Sequence, residues 1–241
     1  MSDNHAYIPG WFGKIPALGD FASRRLPQNF ISLWDNWLQQ SIATSQAQLG
    51  DKWLDIYLNS PIWRFVLMPG LCGPKAWTGI IMPSVDKVGR YFPITIALSV
   101  EAHSDFLLTI FKANHWFDSI EQIALASLDV GFSMENLEQG LASHIFPAHY
   151  SDHEKNPATK QLAELWRTAA LENSLQLPTL DGMSKLIHTA SLDLFTLMGA
   201  GKSIWWRNLS NYGSLTNGPV KWRDFMGLPA PNHFIEMLAG N

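Results

Sequence analysis

The chain has 241 residues, 46% hydrophobic and 16% charged, enough apolar material and length for one large α/β unit with a buried core. Eleven Trp and thirteen Phe make that core aromatic, and rings left at the surface would serve recognition. A net charge of −4 without a basic run argues against nucleic acid as a partner, and a single cysteine, Cys72, cannot form an internal disulfide and suits a reducing compartment.

The opening residues, MSDNHAYIPGWFGKIPALGDF, lack the apolar core and basic flank of a signal peptide. Nor does any stretch approach the ~20 apolar residues that cross a bilayer. These features predict a soluble, cytoplasmic protein without membrane insertion. Tyr7, Trp11, Phe12 and Ile15, broken by Pro9 and Gly10, predict an irregular first strand at a sheet edge. Residues 16–27, with Pro16, Gly19 and Pro27, read as a loop. From Gln28 to Leu49, apolar positions at Phe30, Leu33, Trp34, Trp37, Leu38 and Ile42 keep helical spacing, and Gly50 ends the run. A short helix over 51–58 is closed by Pro61.

Three strands follow in IWRFVLM, AWTGIIMP and YFPITIALSV. In the last, Ile94, Ile96, Leu98 and Val100 alternate with Thr95, Ala97 and Ser99, which predicts one buried face. Their connections are too short for a crossover helix, so neighbours pair antiparallel. The segment PSVDKVGRYFP, residues 83–93, is therefore a strand connection, with Gly89 as its permissive backbone. Leu107, Ile110, Phe111, Trp116, Phe117, Ile120 and Ile123 predict helix, capped by Ser104. After Gly131, a shorter helix opens on a Ser133/Asn136 turn. Residues 147–157 read as a polar loop between Pro147 and Pro157, and helices are expected over 158–171 and 181–195. SIWWRNL predicts a late strand, with YGSLTNGP as hairpin partner or coil, and PNHFIEML a terminal helix. The sequence has neither an internal repeat nor a linker. It predicts a single domain over 1–241, an α/β fold whose mixed, largely antiparallel sheet of about five or six strands carries helices on its faces.

Motifs for chemistry are weak. Gly199–Ser203, GAGKS, resembles the end of a phosphate-binding loop, but the position of the first glycine holds Thr196, and a helical run precedes it. A helix-to-strand turn with a helix-stopping glycine explains it better. His144, His149, His153 and Glu154 suggest a metal site only if a proline-bracketed loop were helical. Cys72 lies in no nucleophile motif. No cofactor, metal or catalytic residue is assigned. The remaining polar residues lie on connections: Asp20, Arg24, Arg25, Arg64, Asp86, Lys87 and Arg90, beside Trp11, Trp63 and Tyr91. Such a set either scaffolds two loops through Asp–Arg pairs or forms a protein-docking surface, to which Arg, Trp and Tyr contribute disproportionately. As partner-binding residues the chemistry nominates Arg64, Asp86 and Arg90 first, then Asp20, Arg24 and Arg25.

GWFGKIPALGDFASRRLP, WDNWLQQS, IWRFVLMPGLCG and WTGIIMPSVDKVGRYFPIT resemble the amino-terminal hallmark of the TagF (ImpM) family, accessory proteins of bacterial type VI secretion. HWFDSIEQIAL, SIWWR and FMGLPAPNHFIEML are similar to later elements of that family. The resemblance implies a three-layer α/β sandwich and a cytoplasmic, non-enzymatic repressor that acts after its targets are made. It also implies a protein partner, a scaffold with a forkhead-associated domain, and an action that can be independent of threonine phosphorylation. Some relatives are fused to a serine/threonine phosphatase; here such a module is expected to be a separate protein. Two other readings compete: a structural subunit of the baseplate, and a small hydrolase with an unrecognised site. A deep pocket of convergent titratable groups would favour the hydrolase, and a shallow charged–aromatic patch would favour docking.

Overall fold

In chain order the elements are β1 (Gly10–Gly13), β2 (Ala22–Arg24), α1 (Gln28–Leu49), α2 (Trp53–Leu58), β3 (Trp63–Leu67), β4 (Ala76–Met82), β5 (Ile94–Val100), α3 (Phe106–Lys112), α4 (Asn114–Ala126), α5 (Met134–Ser143), β6 (Lys202–Asn208), β7 (Val220–Met226) and α6 (Pro231–Leu238). The structure, a computed structural model, describes residues 7–102, 105–129, 131–147, 196–208 and 219–241. The helices expected over 158–171 and 181–195, the Ser104 cap, most of the 147–157 loop and nearly all of 212–219 lie outside the described residues.

The strands form one sheet in the order β2-β1-β5-β4-β3-β6-β7. Every pairing is antiparallel, so the sheet is not mixed, and it has seven strands where five or six were expected. The two extra strands are the edges. β2 is only three residues long and lies in the stretch 16–27, whose Pro and Gly spacing predicts loop. β7 turns Val220, Trp222 and Met226 outward while Lys221 and Arg223 are partly covered, the reverse of the usual pattern. The first strand is corrected too: β1 is internal, flanked by β2 and β5.

Alternation along the strands sends apolar side chains into two clusters. Val66, Ile80, Ile96, Leu98 and Trp206 join Phe106, Phe117, Ile120 and Leu137 of α3–α5. Phe65, Leu67, Trp77, Ala97 and Trp205 join Phe30, Trp34 and Trp37 of α1 and Phe234 and Leu238 of α6. β5 is thus covered on both sides, not one. Thr95, on the face expected to be open, is fully buried, and its hydroxyl accepts the Trp34 indole N–H at 2.8 Å. That bond satisfies the polar group of Trp34 within an aromatic stack, as the Ser203 hydroxyl does for the Trp205 indole N–H. Trp34 lies 4.8 Å from Phe65 and 5.9 Å from Trp205, centroid to centroid. Truncating so large a buried ring typically costs about 3–5 kcal/mol.

Local signals set the boundaries. Gly50 has φ +52, and its N–H caps α1 on the Gln46 carbonyl. Ser133 and Asn136 form a reciprocal capping box that starts α5. The helical run after residue 104 splits at Ala113 into α3 and α4. Gly79 belongs in the middle of β4 because a Cβ there would be driven into the Ile96 carbonyl of β5. Gly199–Gly201 turn the chain from residues 196–198 into β6, with φ +73 at Gly201. Among the described residues, no helix is long and apolar enough to cross a membrane.

Candidate protein-docking surface

β4 leads to β5 through residues 83–93, and this connection is built around Asp86. Its Oδ1 accepts the backbone N–H groups of Val88 (3.0 Å) and Arg90 (2.8 Å). Its Oδ2 accepts the Lys14 ammonium (3.0 Å) and the Arg90 Nε (2.7 Å). Two further backbone bonds, Asp86 N–H to Arg90 O and Gly89 N–H to Asp86 O, close the loop. The Asp86 side chain is inaccessible. Burial by itself would raise its pKa. The Arg90 N–H, the Lys14 and Arg90 cations and the Val88 N–H outweigh that and hold the carboxyl far below the usual carboxylate range.

The same framework fixes a second loop. Lys87 N–H donates to the Leu18 carbonyl at 2.9 Å, and Arg90 Nη2 donates to the Gly19 carbonyl at 2.6 Å, with Asp20 Oδ1 at 3.7 Å. Phe21 stacks on Phe12 and meets Phe92 edge-on at 4.7 Å, with the Lys14 ammonium 4.7 Å from its ring centre. Phe21 nevertheless remains 44% exposed, and Val88 69%. Beyond it, β2 is followed by Arg25, the one non-glycine with positive φ (+60°) among the described residues. Arg25 donates through Nε to the Pro9 carbonyl and pairs with Glu138 of α5, which also accepts the Trp11 indole N–H at 2.6 Å. Burial opposes ionisation of Glu138, but Arg25, Trp11 and the nearby Arg24 lower its pKa.

The six nominated residues thus fall into different places. Asp20, Arg24, Arg25 and Arg90 are exposed and share the surface formed by the two loops and β2. Asp86 lies directly beneath it as the internal tie. Arg64 is elsewhere: it is 2% exposed, on the α4 side of central strand β3. Its Nε and Nη2 donate to Glu121 (2.6 Å) and Asp118 (2.7 Å), and Nη1 to Asn114 (3.3 Å). The expectation that Arg64 and Asp86 face a partner is corrected, since neither offers an accessible group. Trp11 and Trp63, expected beside the surface, are buried as well.

Sequence reasoning missed the exposed members Phe21 and Val88, and it missed Lys14 as the buried partner of Asp86. The signal for Arg64 was present: a lone arginine inside an apolar strand needs carboxylates, and Asp118 and Glu121 stand three apart on one helix face. An apolar cleft, lined by Tyr57, Pro61, Trp63, Phe234 and Leu238 among others, touches the 83–93 connection only at its two ends, Pro83 and Pro93. Its lining holds no acid, amine, thiol or imidazole. The Tyr57 hydroxyl is engaged twice by Ser84, donating to its carbonyl and accepting its N–H, and burial keeps its pKa well above the ordinary value. Cys72 is buried, with its thiol pushed up to about 11 by burial. Of the four suggested metal ligands only His144 is described; its Nδ1 contacts the Gly140 carbonyl at 2.9 Å.

Residues 10–144 match the family model described as TagF N-terminal domain, type VI secretion system-associated. No curated protein matches the chain. Among solved structures, the chain is similar to PA0076 from Pseudomonas aeruginosa PAO1, at 31% identity and a TM-score of 0.66, over 97% of this chain and 94% of that one. The arginine-bearing loops, β2 and the Arg64 cluster all fall within the matched span.

Proposed function

Because the chain belongs to the TagF family of type VI secretion-associated proteins, we propose that it restrains secretion by binding a component of the machinery, without chemistry of its own. The family resemblance nominates a scaffold with a forkhead-associated domain as that component and the cytoplasm as the place. In this reading the chain is one domain, its sheet sandwiched between two helical layers. The contact is made by the surface of residues 18–25 and 86–90.

One observation carries the proposal. The Asp86 network holds two loops rigid while leaving Arg24, Lys87, Arg90, Phe21 and Val88 projecting from them. Capture of a partner needs a preformed surface of this kind, because ordering loops on binding consumes affinity. The described cleft, by contrast, lacks the convergent titratable groups that hydrolysis requires.

The test is secretion itself, in a bacterium with an active type VI system. Overproduction of the chain is expected to lower the amount of a secreted substrate in the medium, and deletion to raise it. If overproduction leaves secretion unchanged, the proposal fails. If deletion abolishes secretion, the chain is a structural subunit of the apparatus.

A further inference from the structure

We infer that the surface of residues 18–25 and 86–90 recognises an acidic segment of a partner protein, one carrying an apolar residue between its carboxylates. The inference rests on the docking reading above and specifies the chemistry of the partner.

The chain is acidic overall, at −4, yet this surface is not. It carries Arg24, Arg25, Lys87 and Arg90, against Asp20 as its exposed acid. Asp86 is consumed internally by Lys14 and Arg90, and Arg25 by Glu138. Among the described residues, neither Arg24 nor Lys87 has a carboxylate within ion-pair distance. Within the described residues Arg24 bonds its neighbour's carbonyl and the Met134 sulfur, the latter at a long 3.7 Å. Arg90 keeps 55% of its side chain exposed despite its bonds. An excess of cations over carboxylates on one face of an acidic molecule gives a local positive potential.

The backbone adds little to recognition. β2 is an edge strand of three residues, ended by the left-handed Arg25, and short edges of this kind resist strand addition. The Ser23 carbonyl is already occupied by the Arg24 guanidinium. Affinity must therefore come from side chains. Arg24, Lys87 and Arg90 supply charge and directed donors, while Phe21 and Val88 supply exposed apolar area beside them. The complementary ligand is acidic with an apolar anchor. A basic or uniformly polar segment would leave one of these features unmatched.

A random dodecapeptide library displayed on phage, panned against the immobilised full chain, reads this preference directly. Enriched peptides are expected to carry an excess of Asp and Glu around at least one aliphatic or aromatic residue. Labelled versions should bind in solution with an affinity that falls as salt rises. Arg24→Glu and Lys87→Glu should each weaken binding at least about tenfold, and Arg24→Gln and Lys87→Gln less. Lys75→Glu, at the opposite end of β4, should have no effect. The near-ultraviolet signal of the tryptophans reports whether each variant is folded. Absence of enrichment, enrichment without an acidic excess, or equal binding by the folded charge-reversed variants would overturn the inference. In those cases, restraint of secretion by overproduction would still stand as the separate test of the docking reading.

Discussion

Asp86 shows how one buried carboxylate organises a surface it never reaches. It accepts two backbone N–H groups and two cations from three positions of the chain, so removing its charge frees the loop ends and leaves Lys14 buried beside a neutral amide. Asp86→Asn is therefore expected to lower Tm by several degrees, measured by circular dichroism. The pH dependence has a definite sign. Because the folded pKa is depressed, the stabilisation is fully present above the ordinary carboxylate value of 3.8 and is lost as pH falls from there toward the folded value. Denaturant midpoints of the wild type should thus decline between about pH 5 and pH 2, and those of Asp86→Asn should decline less. At this scale the residue types were legible and their positions were not. Asp86 and Arg90 stood out as a polar pair in a turn, but nothing in the local pattern placed Lys14 across from them. That contact is made by the β1–β5 pairing, which brings together residues 72 positions apart.

At the level of the elements, the junction of β3 and α4 depends on Arg64. Its guanidinium lies 5.1 Å from the Phe117 ring centre and is bound by Asp118 and Glu121, whose side chains are 17% and 16% exposed. Arg64→Met would keep much of the volume but leave two mostly buried carboxylates without a cation. The expected loss is about 3–5 kcal/mol in urea unfolding. Adding Asp118→Asn and Glu121→Gln should recover part of it, since amides carry no charge to strand. An unchanged midpoint in Arg64→Met would show that the cluster contributes nothing. Elements with strong periodicity were legible in full: α1 ends where its spacing and Gly50 place the stop, and Ser133/Asn136 mark the start of α5. The two edge strands were hidden for opposite reasons. β2 is too short to display a period. β7 has a period, but its apolar side faces out, and its half-buried Arg223 is held by Glu236 of α6, a pairing that requires the tertiary fold.

For the molecule as a whole, the order of the sheet departs from the order of the chain at two places, β1–β5 and β3–β6, and the second joins strands further apart in sequence. β3 is bonded on one side to β4 and on the other to β6, so Arg64 is registered against Trp206 and Phe65 against Trp205. A polypeptide emerging from the ribosome must therefore hold Trp63, Phe65 and Leu67 on an open strand edge until more than a hundred further residues have been made. Contacts this distant in sequence form late, and an uncovered apolar edge invites self-association meanwhile. A fragment of residues 10–144, the span of the family match, would retain that vulnerability permanently. It is expected to sediment as aggregates in conditions that leave the full chain in the supernatant, and a stable monomeric fragment would contradict this. Nascent chains of this protein would then need chaperone shelter during the interval before β6 closes the gap, so its cellular abundance should respond to holdase supply more steeply than its finished stability suggests.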